Sequence, residues 1–90
     1  MKEVLYFYLE ACPYCHQADE LIEEIKKENA KYKNVVIRKV EESLNREFSD
    51  KFGYDYVPCM YVDGDKIIEG KNCTKENLIK MFDDVLGSKK

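Results

Sequence analysis

Two cysteines separated by two residues, Cys12-Pro13-Tyr14-Cys15, are the part of this chain best suited to chemistry. At that spacing the two sulfurs can join as a disulfide and part again, which lets a dithiol take up and release two electrons. A thiol attacks a disulfide only as a thiolate, so one of the pair needs surroundings that favour an anion. The N-terminus of a helix supplies them, through its unpaired N–H groups and the positive end of its dipole. With Cys12 at the cap of such a helix, it is the expected exposed nucleophile. Cys15, one turn inside, is the expected buried partner that resolves the mixed disulfide. Pro13 stiffens the turn, and Tyr14 offers an aromatic surface or a hydroxyl to the incoming sulfur compound.

The flanking sequence has the pattern needed to hold this pair. Val4-Leu5-Tyr6-Phe7-Tyr8-Leu9 is a continuous apolar and aromatic run, suited to a strand buried on both faces. From Tyr14, apolar or small residues recur at Ala18, Leu21, Ile22 and Ile25 among Gln17, Asp19, Glu20, Glu23, Glu24 and Lys26. That spacing predicts an amphipathic helix of about four turns, with Tyr32 trailing. Pro13 falls in its first turn, where a missing N–H costs nothing. Val35 to Val40 predicts a second strand, completing a βαβ unit whose strands are parallel. Leu44, Phe48 and Phe52 recur at i, i+4 and i+8 and predict a shorter second helix that Gly53 stops. Tyr56 to Val62 and Asp65 to Glu69 flank Asp63-Gly64, one of the strongest two-residue hairpin signals. Leu78, Ile79, Phe82, Val85 and Leu86 form the apolar stripe of a last helix, capped by Thr74 or Asn72 and stopped by Gly87. The sum is an α/β fold of order β-α-β-α-β-β-α, a four-stranded mixed sheet flanked by three helices.

Ninety residues with 44% apolar and 37% charged content describe a single globular domain, 1–90. A net charge of −3 without a clustered basic face gives no reason to expect nucleic acid. No apolar run approaches the ~20 residues of a membrane span. Met1-Lys2-Glu3 leads directly into strand pattern, so no signal peptide is expected and the default location is cytoplasmic. In that reducing setting, a close pair among four cysteines is there to react or to bind metal, not to staple the fold. Zinc wants four ligands, and the extras here, His16, Cys59 and Cys73, have no paired spacing. No metal and no resident cofactor are expected, and the chain is expected to be a monomer.

Cys-Pro-Tyr-Cys after an apolar strand, Val57-Pro58 opening a hairpin strand and a Gly-led turn into the last helix together resemble a glutaredoxin of the thioredoxin superfamily. The likeness runs in order along nearly the whole chain. It implies a thioredoxin-like fold and reduction of protein disulfides and glutathione mixed disulfides, with glutathione as the reducing co-substrate. It further implies that Pro58 is a cis-proline beside the cysteine pair, and that the Val57 backbone pairs with a bound peptide like an added strand. Two segments depart from the family pattern. Leu9 and acidic Glu10 stand where a basic residue three positions before the first cysteine is usual, and Gly70-Lys71-Asn72-Cys73-Thr74-Lys75 lacks the second glycine and the acidic residues that follow it. In this segment Lys71 can supply charge, and Thr74 with the helix N-terminus can take a carboxylate through backbone N–H groups. Lys71, Asn72, Cys73 and Thr74 therefore join Pro13, Tyr14, Val57 and Pro58 as expected substrate-binding residues. A thioredoxin-like reductant recycled by a thioredoxin-type reductase stays open as an alternative, as does a metal or iron–sulfur binding protein.

Other residues have ordinary and functional readings side by side. His16 is either a solvated helix position or a helper of the thiolate. Cys59 is either a small buried strand residue or a third thiol near the dithiol. Cys73 is a loop residue or a regulatory thiol. Tyr54 and Tyr56 are either core or rim aromatics or residues that border the expected groove, while Glu41-Glu42 and Lys89-Lys90 read as solvated charge.

Overall fold

The chain runs β1 (Glu3–Tyr8), α1 (Pro13–Glu28), β2 (Val36–Glu41), α2 (Arg46–Ser49), β3 (Cys59–Val62), β4 (Asp65–Glu69) and α3 (Lys75–Leu86). This is a computed structural model, and it describes residues 3–87, so Met1-Lys2 and Lys89-Lys90 lie outside the described residues. The strands form one sheet in the order β2-β1-β3-β4. β1 is parallel to β2, and both remaining pairings are antiparallel.

The apolar run of β1 has its reason in this placement. Val4 and Tyr6 point into a larger core with Ile22 and Ile25 of α1 and Leu78, Phe82 and Val85 of α3. Phe7 points to the other face, where it joins Val40, Cys59 and Tyr61. With both faces covered, the strand is apolar or aromatic from Val4 onward, after an exposed Glu3. Tyr32 lies in a 3-10 turn, Ala30–Asn34, and its hydroxyl donates to Asp83 Oδ1 at 2.7 Å, tying the end of α1 to α3. Among the described residues no helix is long and apolar enough to cross a membrane.

Three sequence expectations need correction. The stripe Leu44, Phe48, Phe52 does not form a continuous helix. Glu42–Leu44 is a 3-10 turn, α2 is a single turn, and Leu44 is 80% exposed. Phe48 and Phe52 instead cluster on Phe7, at centroid distances of 6.0 and 4.9 Å. A helix this short gains little from its own hydrogen bonds, so ring packing on the sheet decides its shape. Gly53 is not its stop, because the helix already ends at Asp50 in the ordinary right-handed region. Third, the hairpin strand starts at Cys59 and not at Tyr56. Residues 56–58 bend instead, consistent with Pro58 having no N–H to donate to a ladder.

The hairpin turn itself is as expected, with Asp63 at φ 55° and Gly64 at φ 87°. β4, however, carries an irregularity that no pattern announced. Met60 pairs with Ile68 but Tyr61 pairs with Lys66, so Ile67 is an extra residue, a β-bulge.

Phe82 is fully buried and packs on Tyr32, at a centroid distance of 6.0 Å. Phe82→Ala should cost about 3–5 kcal/mol in urea unfolding, a large share of the about 5–15 kcal/mol typical of a domain. Leu44→Ala should stay within about 0.5 kcal/mol. Equal effects of the two changes would contradict this division into core and surface.

Candidate active site

Cys12 sits at the N-cap of α1 in extended backbone (φ −84°, ψ 119°), and its side chain caps nothing. Pro13 follows as the first helical residue. The turn that delivers Cys12 is closed by its own N–H donating to the Leu9 carbonyl at 3.1 Å. Two further bonds fix that turn. Glu10 N–H donates to Glu41 Oε2 at 2.8 Å, and His16 Nε2 donates to the Glu10 carbonyl at 2.5 Å. His16 thus braces the loop in front of the dithiol, and Glu41, read from sequence as solvated charge, does the same from the end of β2.

Cys15 is fully buried, whereas Cys12 is partly exposed, and both are free thiols. Burial pushes the Cys15 thiol up to about 12; a hydrogen bond with the Leu9 backbone opposes this, and a hydrogen bond with the Cys12 side chain adds to it. The two side chains therefore influence each other while their surroundings differ. Beneath them, the Tyr6 hydroxyl is shared between the Cys15 carbonyl at 3.2 Å and Asp19 Oδ1 at 3.0 Å, which pins the first turn of α1 to the sheet.

Beside the dithiol lies a groove of about 530 Å³ lined by Tyr14, Tyr56, Val57, Glu69, Gly70, Lys71 and Asn72. Tyr14 and Tyr56 are 56% and 69% exposed. The Val57–Pro58 peptide bond is cis, and Pro58 itself is buried. Among the described residues, the N–H and C=O of Val57 have no hydrogen-bond partner, and Lys71 has no ion pair. Five of the residues singled out from sequence, Tyr14, Tyr56, Val57, Lys71 and Asn72, thus meet in one groove.

Others do not line it. Cys73 packs against the larger core, and burial raises its thiol to about 11. The Thr74 hydroxyl accepts from Asn77 N–H at 3.2 Å and so caps α3. Cys59 lies across the sheet from α1, in the cluster around Phe7, and burial pushes its thiol up to about 12. It is not a third thiol of the dithiol site. Among the described residues no group of three or more His, Cys, Asp or Glu side chains is placed to hold a metal ion.

Glu69 was not singled out from sequence, and Gly70 only as the start of the turn into the last helix, yet both shape the groove. Glu69 Oε1 meets Lys66 Nζ at 2.9 Å, and Oε2 accepts from the N–H groups of Asp55 and Tyr56, the latter at 3.0 Å. Lys66 first, and then these N–H donors, hold the carboxyl down to about 2. Gly70 donates to the Pro58 carbonyl at 2.8 Å. It stands at φ 59°, and a Cβ there would lie 3.1 Å from the Tyr56 Cβ, so backbone and space both call for glycine. A signal for Glu69 was hidden by the bulge. Residues three apart on a regular strand point to opposite faces, but the extra Ile67 brings Lys66 and Glu69 to one face, opposite Tyr61 and Cys59.

Residues 3–83 match the model of the family described as Thioredoxin domain. The solution structure of oxidised thioredoxin from Plasmodium falciparum is similar with a TM-score of 0.69 at 20% identity, covering 93% of this chain and 80% of that one. A structure described as that of a malarial protein is similar with a TM-score of 0.68 at 18% identity, covering 93% of this chain and 96% of that one. At these identities the likeness is one of fold. No curated protein sequence matches.

A thiol with a value near 12 stays protonated through neutral pH and ionises only as the pH climbs toward that value. Brief alkylation of the reduced protein at pH 7 should therefore modify Cys12 well before Cys15 or Cys59, as read by peptide mass mapping. Labelling of Cys15 should accelerate as pH rises; early labelling of Cys15 at pH 7 would contradict the asymmetry.

Proposed function

The chain belongs to the thioredoxin domain family, and from that premise we propose that it reduces protein disulfides and glutathione mixed disulfides through Cys12 and Cys15. The observation that carries this reading is the pair's asymmetry: one thiol at a helix cap and partly exposed, its partner one turn on and fully buried. In the first step the Cys12 thiolate attacks one sulfur of the substrate disulfide. The substrate S–S bond breaks, a mixed disulfide forms on Cys12, and the departing sulfur leaves as a thiolate that takes a proton. Cys15 then loses its proton and attacks the Cys12 sulfur, which releases the second substrate thiol and leaves a Cys12–Cys15 disulfide. Its high value keeps Cys15 a thiol until that moment, so it does not compete with Cys12 for substrate. Two glutathione thiols restore the dithiol and depart as glutathione disulfide.

The groove supports a peptide-like substrate. Val57 offers an unpaired N–H and C=O at its wall, the pair of groups with which an extended peptide adds as a strand. Lys71 offers a cation to a carboxylate. One observation favours a second reading of the electron source. The Asn77 N–H already donates to the Thr74 hydroxyl and the Thr74 N–H to the Asn72 carbonyl at 2.9 Å, so the backbone donors that would hold a glutathione carboxylate are partly engaged. Under that reading the protein is recycled by a thioredoxin-type reductase. In either case the setting is a reducing, cytoplasmic one, and the protein needs no resident cofactor and acts as a monomer.

Reduction of a model disulfide, coupled to glutathione and its reductase or to thioredoxin reductase, separates the two sources by rate. Cys12→Ser should abolish turnover with both. Cys15→Ser should retain only the reaction on glutathione mixed disulfides. Full turnover by the Cys12→Ser variant would refute the mechanism.

A further inference from the structure

We propose that Glu69 is a positioning residue, whose carboxylate holds residues 53–58 in the shape that presents the Val57 backbone to a peptide disulfide. The inference rests on the reading of Val57 as the backbone partner of substrate. Residues 53–55 have no regular secondary structure and 56–58 only bend, so no ladder or helix holds this loop in place. An unsupported loop pays conformational entropy each time it is ordered by a ligand.

Here β4 holds it at several points. Glu69 Oε2 accepts from both Asp55 N–H and Tyr56 N–H. Lys66 Nζ bridges Glu69 Oε1 at 2.9 Å and the Gly53 carbonyl at 3.2 Å. Gly70 N–H reaches the Pro58 carbonyl at 2.8 Å. The groups on either side of Val57 are thereby satisfied from β4, while those of Val57 remain open to the groove. The bulge at Ile67 makes the arrangement possible, because it turns Lys66 and Glu69 to the same face. Glu69 acts through the loop and takes no part in the exchange at sulfur.

Glu69→Ala and Glu69→Gln are to be compared with wild type on two substrates: a short peptide carrying one disulfide, and hydroxyethyl disulfide, which has no backbone to pair. On the peptide, Glu69→Ala should raise KM about tenfold, the scale of losing charge-assisted hydrogen bonds, with kcat within about twofold. On hydroxyethyl disulfide its kinetics should move less than about twofold. Glu69→Gln keeps an acceptor oxygen and should fall between wild type and Glu69→Ala. An unchanged peptide KM, or equal losses on both substrates, overturns the proposal. Amide hydrogen exchange provides the second measurement. Asp55 and Tyr56 amides should be protected in wild type and lose protection in Glu69→Ala, while β1 and β3 amides keep theirs. Unprotected Asp55 and Tyr56 amides in wild type also overturn it. Failure of wild type itself to reduce either disulfide is a different result: it refutes the oxidoreductase reading and takes this inference with it.

Discussion

A proline at position 13 has no N–H for the turn before it, so α1 begins there and Cys12 is left outside as its cap. That boundary sets the surroundings of both sulfurs. Cys12 stays at the helix end, partly open to solvent, and Cys15, one turn on, is driven into the core. The boundary holds only because β1 is buried on both faces. Its Tyr6 hydroxyl grips the first turn of α1 from below, and the Leu9 turn at its end delivers Cys12. Loss of the Tyr6 contact would leave a buried hydroxyl without its acceptors, which is costlier than a weak bond on the surface.

The second wall of the site is held by a different kind of interaction. Lys80 and Glu76 meet at 3.8 Å with both side chains well exposed, and pairs of that kind contribute about 0–1 kcal/mol. The Glu69 side chain is 19% exposed and receives two backbone N–H groups as well as Lys66. Several donors converging on one shielded carboxylate restrain a loop far better than a single solvated pair. The dithiol and the groove are thus supported from opposite sides of the sheet's order, one by β1 and the other by β4.

The fold is shared with thioredoxin of Plasmodium falciparum at only 20% identity, and that is what buried patterns and a few special backbone positions permit. The groove beside the dithiol is lined by exposed Tyr14 and Tyr56 and by Lys71, all outside the buried core. Cys59 and Cys73, by contrast, are spent on packing.

Much of this was legible in the residue order. The strand run at Val4 to Leu9, the apolar stripes of α1 and α3, the Asp63-Gly64 turn and the Cys12-Pro13-Tyr14-Cys15 motif each carry their own local physics, and burial, helical periodicity, positive φ and proline sterics act over a few residues. The i, i+4 spacing of Leu44, Phe48 and Phe52 misled, because packing on Phe7 outweighed helix periodicity in a segment too short to be a helix by itself. Glu69 looked like the end of an ordinary strand, since its role depends on an extra residue in β4 and on a loop more than ten positions away. The sequence alone therefore determined the dithiol motif and the elements that carry it. Tertiary structure alone decided what stands opposite that motif, because a groove wall is assembled from contacts between segments, and no local preference encodes them.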